Sequence, residues 1–278
     1  MSTHLVIKKI SIVAMITLTT SVFAASYDGL TTDYKKWKNP NNFRDAATSL
    51  NTSCEFNAPN YSSSFSPRAQ IKSSPLFKTD LLYRANKNFS GKSCADVGNP
   101  DVILDLEYAP GQSPTYCLTK DNKKVVAKVF NTSGAAIHSI EALPYLPDQQ
   151  KADVCNYIKE GINDISQGKS ILVHCSSGKD RTGAYVALLT YLFTEAENIS
   201  GDQKQSVETA IMCDYLRSGT GIFSSRRAPA HYQQNYLEDL DLYNGNAATT
   251  IINQCNSVGV TISTDVIKKA ADNFINNK

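Results

Sequence analysis

The sequence lacks a surplus of charge of either sign: 28 lysines and arginines stand against 26 aspartates and glutamates in 278 residues, a formal net charge of +2. Bulk electrostatics therefore gives no reason to expect nucleic acid or an anionic membrane surface as a partner, and any recognition of anions has to be local. It also lacks an apolar run of roughly 20 residues, the length a membrane-spanning helix needs. The nearest approach, "ISIVAMITLTTSVF", is shorter and dotted with threonine and serine. No internal repeat is visible, which excludes a solenoid. A chain with 41% hydrophobic and 19% charged residues is neither disordered nor fibrous, and its length suits one large globular domain, or at most two.

What is present begins at the N-terminus. "MSTHLVIKK" is short and basic, the apolar run follows, and "VFAAS" offers small residues for cleavage after Ala24 or Ala25, the pattern of a secretory signal peptide over residues 1–24. The expectation is a secreted or periplasmic protein whose residues 25–278 form a single domain with no integral membrane segment. Export permits disulfides, and there are seven cysteines: Cys54, Cys94, Cys117, Cys155, Cys175, Cys213 and Cys255. If Cys175 stays free for chemistry, an even number remains, and at least one bridge is expected among them without the pairing being specified. Cys155, on a face with Ile158, Ile162 and Ile165, and Cys213, within "AIMCDYL", read equally well as buried thiols.

From about residue 26 to 75 the chain is rich in Asn, Ser, Thr and Pro, as in "NAPNYSSSFSPRAQ", and reads as irregular covering structure. Short apolar runs then read as strands: "LLYRA" (81–85), "VILDL" (102–106), "VVAKVF" (125–130) and "ILVH" (171–174). Between the last two, "QQKADVCNYIKEGINDISQ" has helical spacing of Val154, Ile158, Ile162 and Ile165, and an almost wholly apolar helix runs from Arg181 to about Phe193. Further helices are expected at "QKQSVETAIMCDYLRS", "YQQNYLEDLDLY" and "TDVIKKAADNFINN". The pattern predicts an α/β fold: a mostly parallel central sheet covered on both faces and flanked by helices, with a helical C-terminal part.

The stretch "HCSSGKDRTG" (174–183) joins the last strand to the apolar helix. At the carboxyl edge of a parallel sheet such a turn binds ligands. Successive backbone N–H groups can curl around an anion, and the N-terminus of the next helix adds partial positive charge. Arg181, six residues after Cys175, can return a guanidinium fork to the same anion. Beside cations and helix N-termini a thiolate is favoured over a thiol, and a thiolate facing a bound phosphoryl group is a nucleophile. The bare Cys-x5-Arg spacing is weak evidence; its coincidence with His174, Gly178, Thr182, Gly183 and the flanking strand and helix is strong.

"HCSSGKDRTG" resembles the signature loop of the cysteine-dependent protein tyrosine phosphatase superfamily, in particular its bacterial, secreted tyrosine and phosphoinositide phosphatase branch. "NFRDAA" (42–47), "LLYRAN" (81–86), "VILDLE" (102–107) and "CDYLRS" (213–218) are similar to shorter motifs of that branch. The chain departs from them in two places: the glycine pair that usually follows Asn-Phe-Arg-Asp is absent, and Glu107 stands where an arginine is usual.

The resemblance implies hydrolysis of a phosphomonoester with no metal and no cofactor. Cys175 attacks phosphorus to give a thiophosphate intermediate, Arg181 and the loop residues Ser176, Ser177, Gly178, Lys179, Thr182 and Gly183 hold the phosphate oxygens, and water then cleaves the intermediate. Thr182 offers its hydroxyl to the departing thiolate or caps the helix. His174 orients the loop. Arg84 and Arg44 line the pocket or form surface salt bridges. The general acid is either Asp180 or Asp148, the latter because "YLPDQQ" resembles the superfamily's Trp-Pro-Asp loop. His138 and His231 have no nameable partner. Lys179, a second cation in the loop, asks for a ligand with extra negative charge unless it pairs with Asp180 or turns to solvent. The implied substrate is a phosphotyrosine protein or a phosphoinositide. An inositol polyphosphate phosphatase and a non-catalytic phosphate-binding module are the alternatives.

Overall fold

Alternating strands and helices run in chain order as β1 (Arg44–Asp45), α1 (Ala46–Asn51), β2 (Cys54–Glu55), β3 (Arg68–Ala69), β4 (Leu82–Asn86), β5 (Val102–Asp105), β6 (Tyr116–Leu118), β7 (Lys124–Val126), α2 (Asp148–Ser166), β8 (Ile171–Cys175), α3 (Asp180–Ala196), α4 (Gly201–Arg217), α5 (Ala247–Asn256) and α6 (Thr264–Phe274). The computed structural model describes residues 37, 39–52, 54–55, 68–69, 75–130, 143–218 and 247–276. The expected signal peptide, most of "NAPNYSSSFSPRAQ", the helix expected at "YQQNYLEDLDLY", His138 and His231 lie outside them.

The main sheet has the order β1-β4-β8-β5, with β8 parallel to both β4 and β5, and β1 antiparallel to β4. The fold is thus α/β, a mostly parallel sheet flanked by helices. Strand alternation explains how its two faces are filled. Leu82, Val102, Leu104, Ile171, Val173 and Cys175 face one core cluster, to which all six described helices contribute. Tyr83, Ala85, Ile103 and Leu172 face a second cluster with Phe89, Val97, Cys117 and Ala127. The second face is covered by short 3-10 turns at Lys87–Phe89 and Cys94–Val97 and by the β6–β7 hairpin.

Helix α2 buries the stripe that its sequence predicted: Val154, Ile158, Ile162 and Ile165 are all at most 2% exposed. Helix α3 is the central one, buried continuously from Thr182 to Thr194, as befits a helix apolar on all sides. Two disulfides fasten the covers: Cys94–Cys117 joins the 3-10 turn to β6, and Cys155–Cys255 joins α2 to α5. Cys213 is also disulfide-bonded, and Cys175 is free, so at least one bridge among the other cysteines is present as expected.

Two expectations change. The segment from 26 to 75 is not irregular throughout, since Arg44–Asp45 forms an edge strand and Asp45 caps α1 by accepting from Thr48 N at 2.8 Å. "VVAKVF" does not form a strand of the main sheet. Its first residues turn back on Tyr116–Leu118 in an antiparallel hairpin, and only Lys128 reaches β5, as an isolated bridge to Leu104. Val126 is 51% exposed, which a fully covered strand does not allow.

Candidate active site

Strand β8 delivers Cys175 to the carboxyl edge of the sheet, between Asn86 of β4, which is its register partner, and Leu106, whose N–H donates to His174 O at 2.9 Å. The chain then turns through Ser176, Ser177, Gly178 and Lys179 into the N-terminus of α3. The carbonyls of this turn are all occupied. Ser176 O accepts from Lys87 N at 3.4 Å and Ser177 O from Asn42 Nδ2 at 2.9 Å. Gly178 O accepts from Arg84 Nη2 at 2.8 Å and Asn42 Nδ2 at 3.3 Å. Lys179 O accepts from Arg84 Nη2 at 3.2 Å and from Gly183 N at 2.7 Å.

The amides behave oppositely. Among the described residues, none of the backbone N–H groups from Ser176 to Arg181 donates to a protein acceptor. Gly178 and Lys179 are buried and Ser177 is exposed, and a run of such uncommitted amides beside a helix N-terminus is a cradle for an anion. Glycine at 178 is required twice over. Its φ is +66°, and a Cβ there would lie 2.3 Å from Ala85 O and 2.7 Å from Asn86 N, both backbone atoms.

Behind the loop lies a buried charge cluster. Arg84 pairs with Asp214 Oδ2 and donates to Ser218 Oγ at 2.8 Å. Arg44 donates to Asp214 Oδ1 at 2.8 Å, Asp214 O at 2.6 Å, Ser218 Oγ at 2.7 Å and Asn42 Oδ1 at 3.1 Å. Burial pushes the Asp214 carboxyl up, but the guanidinium groups of Arg44 and Arg84 outweigh it and hold the group at about 2. Burial and the neighbouring Arg84 bring Arg44 down to about 10, with Asp214 opposing. So Arg44 and Arg84 are not surface ion pairs. They brace the carbonyl side of the loop and leave its amide side free.

The remaining loop residues divide clearly. Cys175 is 1% exposed. Among the described residues Arg181 makes only a 3.5 Å contact, from Nη1 to Leu106 O, and its buried Nε has no hydrogen-bond partner, so the fork is uncommitted there. Thr182 Oγ1 is buried without a partner, and no side chain caps α3, so Thr182 is not spent on capping. Gly183 admits α4, since a Cβ there would meet Tyr215 Cδ2 at 2.9 Å. Asp180 accepts a 2.8 Å hydrogen bond from Tyr215 OH. Lys179 is 5% exposed and neither faces solvent nor pairs with Asp180; its ammonium lies 5.4 Å from the centre of the Tyr215 ring. Burial lowers its pKa, with Asp180 pulling the other way.

His174 is fully buried on the opposite face, edge-on to Phe89. Its Nε2 lies 2.6 Å from Thr115 Oγ1, which donates to Asp105 Oδ2 at 3.2 Å. Burial depresses the imidazole pKa, with Asp105 opposing. This network orients the strand end that carries Cys175. Asp148 is exposed as the first residue of α2, where it complements the helix dipole, and it makes no hydrogen bond or ion pair to the loop among the described residues.

A family model described as the tyrosine phosphatase family matches residues 119–275, more than half of the chain. The chain belongs to the tyrosine phosphatase family. It therefore carries a phosphatase domain, and the match spans the 174–183 loop and the segment that supplies Asp214. Comparison with curated proteins gave no match. Asn42, Arg44, Arg84 and Asp105 precede the matched segment, yet the phosphatase loop depends on all of them for its shape or its strand end. The roles of Asn42, Thr115 and Tyr215 were missed in the sequence. Asn42 and Tyr215 stand inside quoted motifs and could have been found there; Thr115 carries no local signal.

Proposed function

We propose that the protein is a phosphomonoester hydrolase in which Cys175 attacks phosphorus and Arg181 with the loop amides holds the transferring group. The observation that carries this is the run of uncommitted amides from Ser176 to Arg181, fixed from behind by Asn42 and Arg84, with the free cysteine at its base. The sulfur–phosphorus bond forms as the ester oxygen leaves with a proton from the acid. Water then attacks the thiophosphate, and Thr182 Oγ1, which has no other partner, donates to the departing thiolate. Asp180 is the favoured acid because it sits within the loop, where an aspartate takes that role in the branch the signature resembles; Asp148 remains the second assignment.

The substrate class is a phosphotyrosine protein, with phosphoinositide activity alongside. Lys179 supports the lipid part: it is a second loop cation with no carboxylate in contact among the described residues. The location is secreted or periplasmic, with residues 25–278 as one domain after removal of a signal peptide; the disulfides support an oxidising compartment. The test is phosphate release from an aryl phosphate in EDTA. Wild type should turn over, Cys175→Ser should bind inorganic phosphate without turnover, and Asp180→Asn should lose about 10²–10⁴ in rate on a poor leaving group. No release by the reduced wild type, with phosphate still bound, would make it a binding module instead.

A further inference from the structure

Asn42 and Arg84 meet the signature loop at its carbonyls, and Arg44 and Asp214 hold those residues in turn. Tyr215, the residue after Asp214 on α4, meets the loop at two of its side chains instead. Its hydroxyl donates to Asp180 Oδ1 at 2.8 Å, and the Lys179 ammonium stands 5.4 Å from the centre of its ring. The ring has little room to move. Tyr215 is buried, and its Cδ2 lies 2.9 Å from the place that a Cβ would take at Gly183, so it fills the space which glycine leaves in the first turn of α3. Gly183 stands three residues after Asp180 and shares its face of the helix, which brings the phenol to the carboxyl. The turn of α4 that places the hydroxyl is also the one pinned by Asp214 to Arg44 and Arg84.

The two oxygens of Asp180 are not equivalent. Oδ1 accepts from the phenol, whereas Oδ2 has no hydrogen bond or ion pair among the described residues. A protonated carboxyl carries its hydrogen on one oxygen and accepts on the other. The oxygen that already accepts the phenolic O–H is the accepting one, which leaves the proton to Oδ2. The same contact restrains rotation about the Cβ–Cγ bond, a torsion that is otherwise broad for aspartate.

We propose that Tyr215 is the positioning residue of the general acid: its hydrogen bond to Oδ1 fixes the Asp180 carboxyl and assigns the transferable proton to Oδ2. This rests on the reading of Cys175 as nucleophile and Asp180 as acid. In the first step the sulfur–phosphorus bond forms, the phosphorus–oxygen ester bond breaks, and the Oδ2 proton passes to the leaving oxygen. In the second, a water oxygen bonds to phosphorus, the sulfur–phosphorus bond breaks, and a proton of that water returns to Oδ2. Tyr215 keeps its own proton throughout and acts only through Asp180.

The test is the dependence of kcat/KM on the leaving group, for aryl phosphates running from dinitrophenyl to phenyl phosphate, in wild type, Tyr215→Phe, Asp180→Asn and the double variant. Phenylalanine keeps the ring against Gly183 and removes only the hydroxyl. Tyr215→Phe should lose about tenfold on phenyl phosphate, the weight of one hydrogen bond, and the loss should shrink as the leaving oxygen needs less protonation. That slope is a property of the active molecules, so a smaller folded fraction does not alter it. Asp180→Asn should steepen the slope more, and adding Tyr215→Phe to it should change little, because the hydroxyl acts through the carboxyl. Equal losses on every ester in Tyr215→Phe would make Tyr215 a structural residue and overturn the proposal; so would a wild-type slope, or a double variant whose loss is the product of the single ones. A wild-type slope in Asp180→Asn would place the acid elsewhere, ending this proposal while leaving the phosphatase reading intact. A wild type that releases phosphate from none of the esters would end both. Calorimetric binding of inorganic phosphate to Cys175→Ser should be the same with and without Tyr215→Phe, and weaker binding would show that the hydroxyl shapes the cradle rather than the acid.

Discussion

Arg84 and Asp214 should fail in different ways when replaced, and the difference follows from counting charges behind the loop. Two guanidinium groups, Arg44 and Arg84, share the single carboxylate of Asp214, all at most 4% exposed. Arg84→Met leaves Arg44 and Asp214 as a balanced pair. It forfeits the hydrogen bonds to Gly178 O, Lys179 O and Ser218 Oγ, each worth about 1 kcal/mol, together with the pairing to Asp214, and regains part of this because Arg44 keeps the carboxylate to itself and is relieved of the repulsion, for a net loss of about 2 kcal/mol. Asp214→Asn instead leaves two buried cations without their counter-charge, and breaking such an arrangement costs about 3–5 kcal/mol. Adding Arg84→Met to Asp214→Asn should then recover stability rather than lose more. Catalysis should rank the other way, because the carbonyls released by Arg84→Met let the amides drift, and a shift of about 1 Å costs on the order of 10² in rate. Urea unfolding and kcat for an aryl phosphate measure both. The reasoning is refuted if Asp214→Asn is no less stable than Arg84→Met, or if the folded fraction of Arg84→Met turns over at the wild-type rate. There is an acid signature too. The native pKa of Asp214 is depressed, so its contribution is complete above the ordinary carboxylate value of 3.8 and is lost as pH falls through about 2; Asp214→Asn should show less of that loss.

Gly178→Ala should destabilise the protein by about 2 kcal/mol or more and abolish phosphate binding, since the new methyl meets the β4 backbone and the left-handed φ is unfavourable as well; unchanged phosphate affinity by calorimetry would contradict the cradle. His174 has a native pKa below its ordinary 6.5, so the unfolded chain takes up its proton first, and stability should fall as pH drops below that value by up to about 1.4 kcal/mol per pH unit. His174→Asn should flatten this slope in thermal unfolding between pH 6.5 and 5, and an unchanged slope would assign it elsewhere. Alkylation of the denatured, unreduced protein should label Cys175 and leave Cys94, Cys117, Cys155, Cys213 and Cys255 unlabelled; label on all of these would contradict the bridges.

The parts that were legible in the sequence are those whose signal is local. An apolar run ending in His174-Cys175 and a helix apolar from Ala184 to Phe193 mark strand, turn and helix without help from distant residues, and α2 declares itself by its stripe. The hairpin of β6 and β7 was legible only in hindsight: Asn122, at φ +57°, makes the turn, and the exposed Val126 resembles a core residue by type alone. Strand β1 and helix α1 are too short for either periodicity to register, and what fixes them is the tertiary pairing of Arg44 with Arg84 across two strands. Thr115 was beyond reach for another reason, because its partners Asp105 and His174 lie on neighbouring strands and a threonine in a turn has many uses.

A loop that must present its N–H groups to an anion has to dispose of its C=O groups elsewhere, and that single requirement accounts for most of the distant residues at this site. The carbonyls need donors that cannot rotate away, which favours planar, buried guanidinium and amide groups over lysine or serine. Buried guanidinium groups need a carboxylate, which is Asp214, and Asp214 needs α4 to hold it, which α4 does by packing closely on α3 where Gly183 leaves room for Tyr215. The same Tyr215 then reaches Asp180 with its hydroxyl and Lys179 with its ring. The motifs at residues 42–45, 82–86 and 213–218 are therefore one device distributed along the chain, and a substitution in any of them acts on the geometry around Cys175.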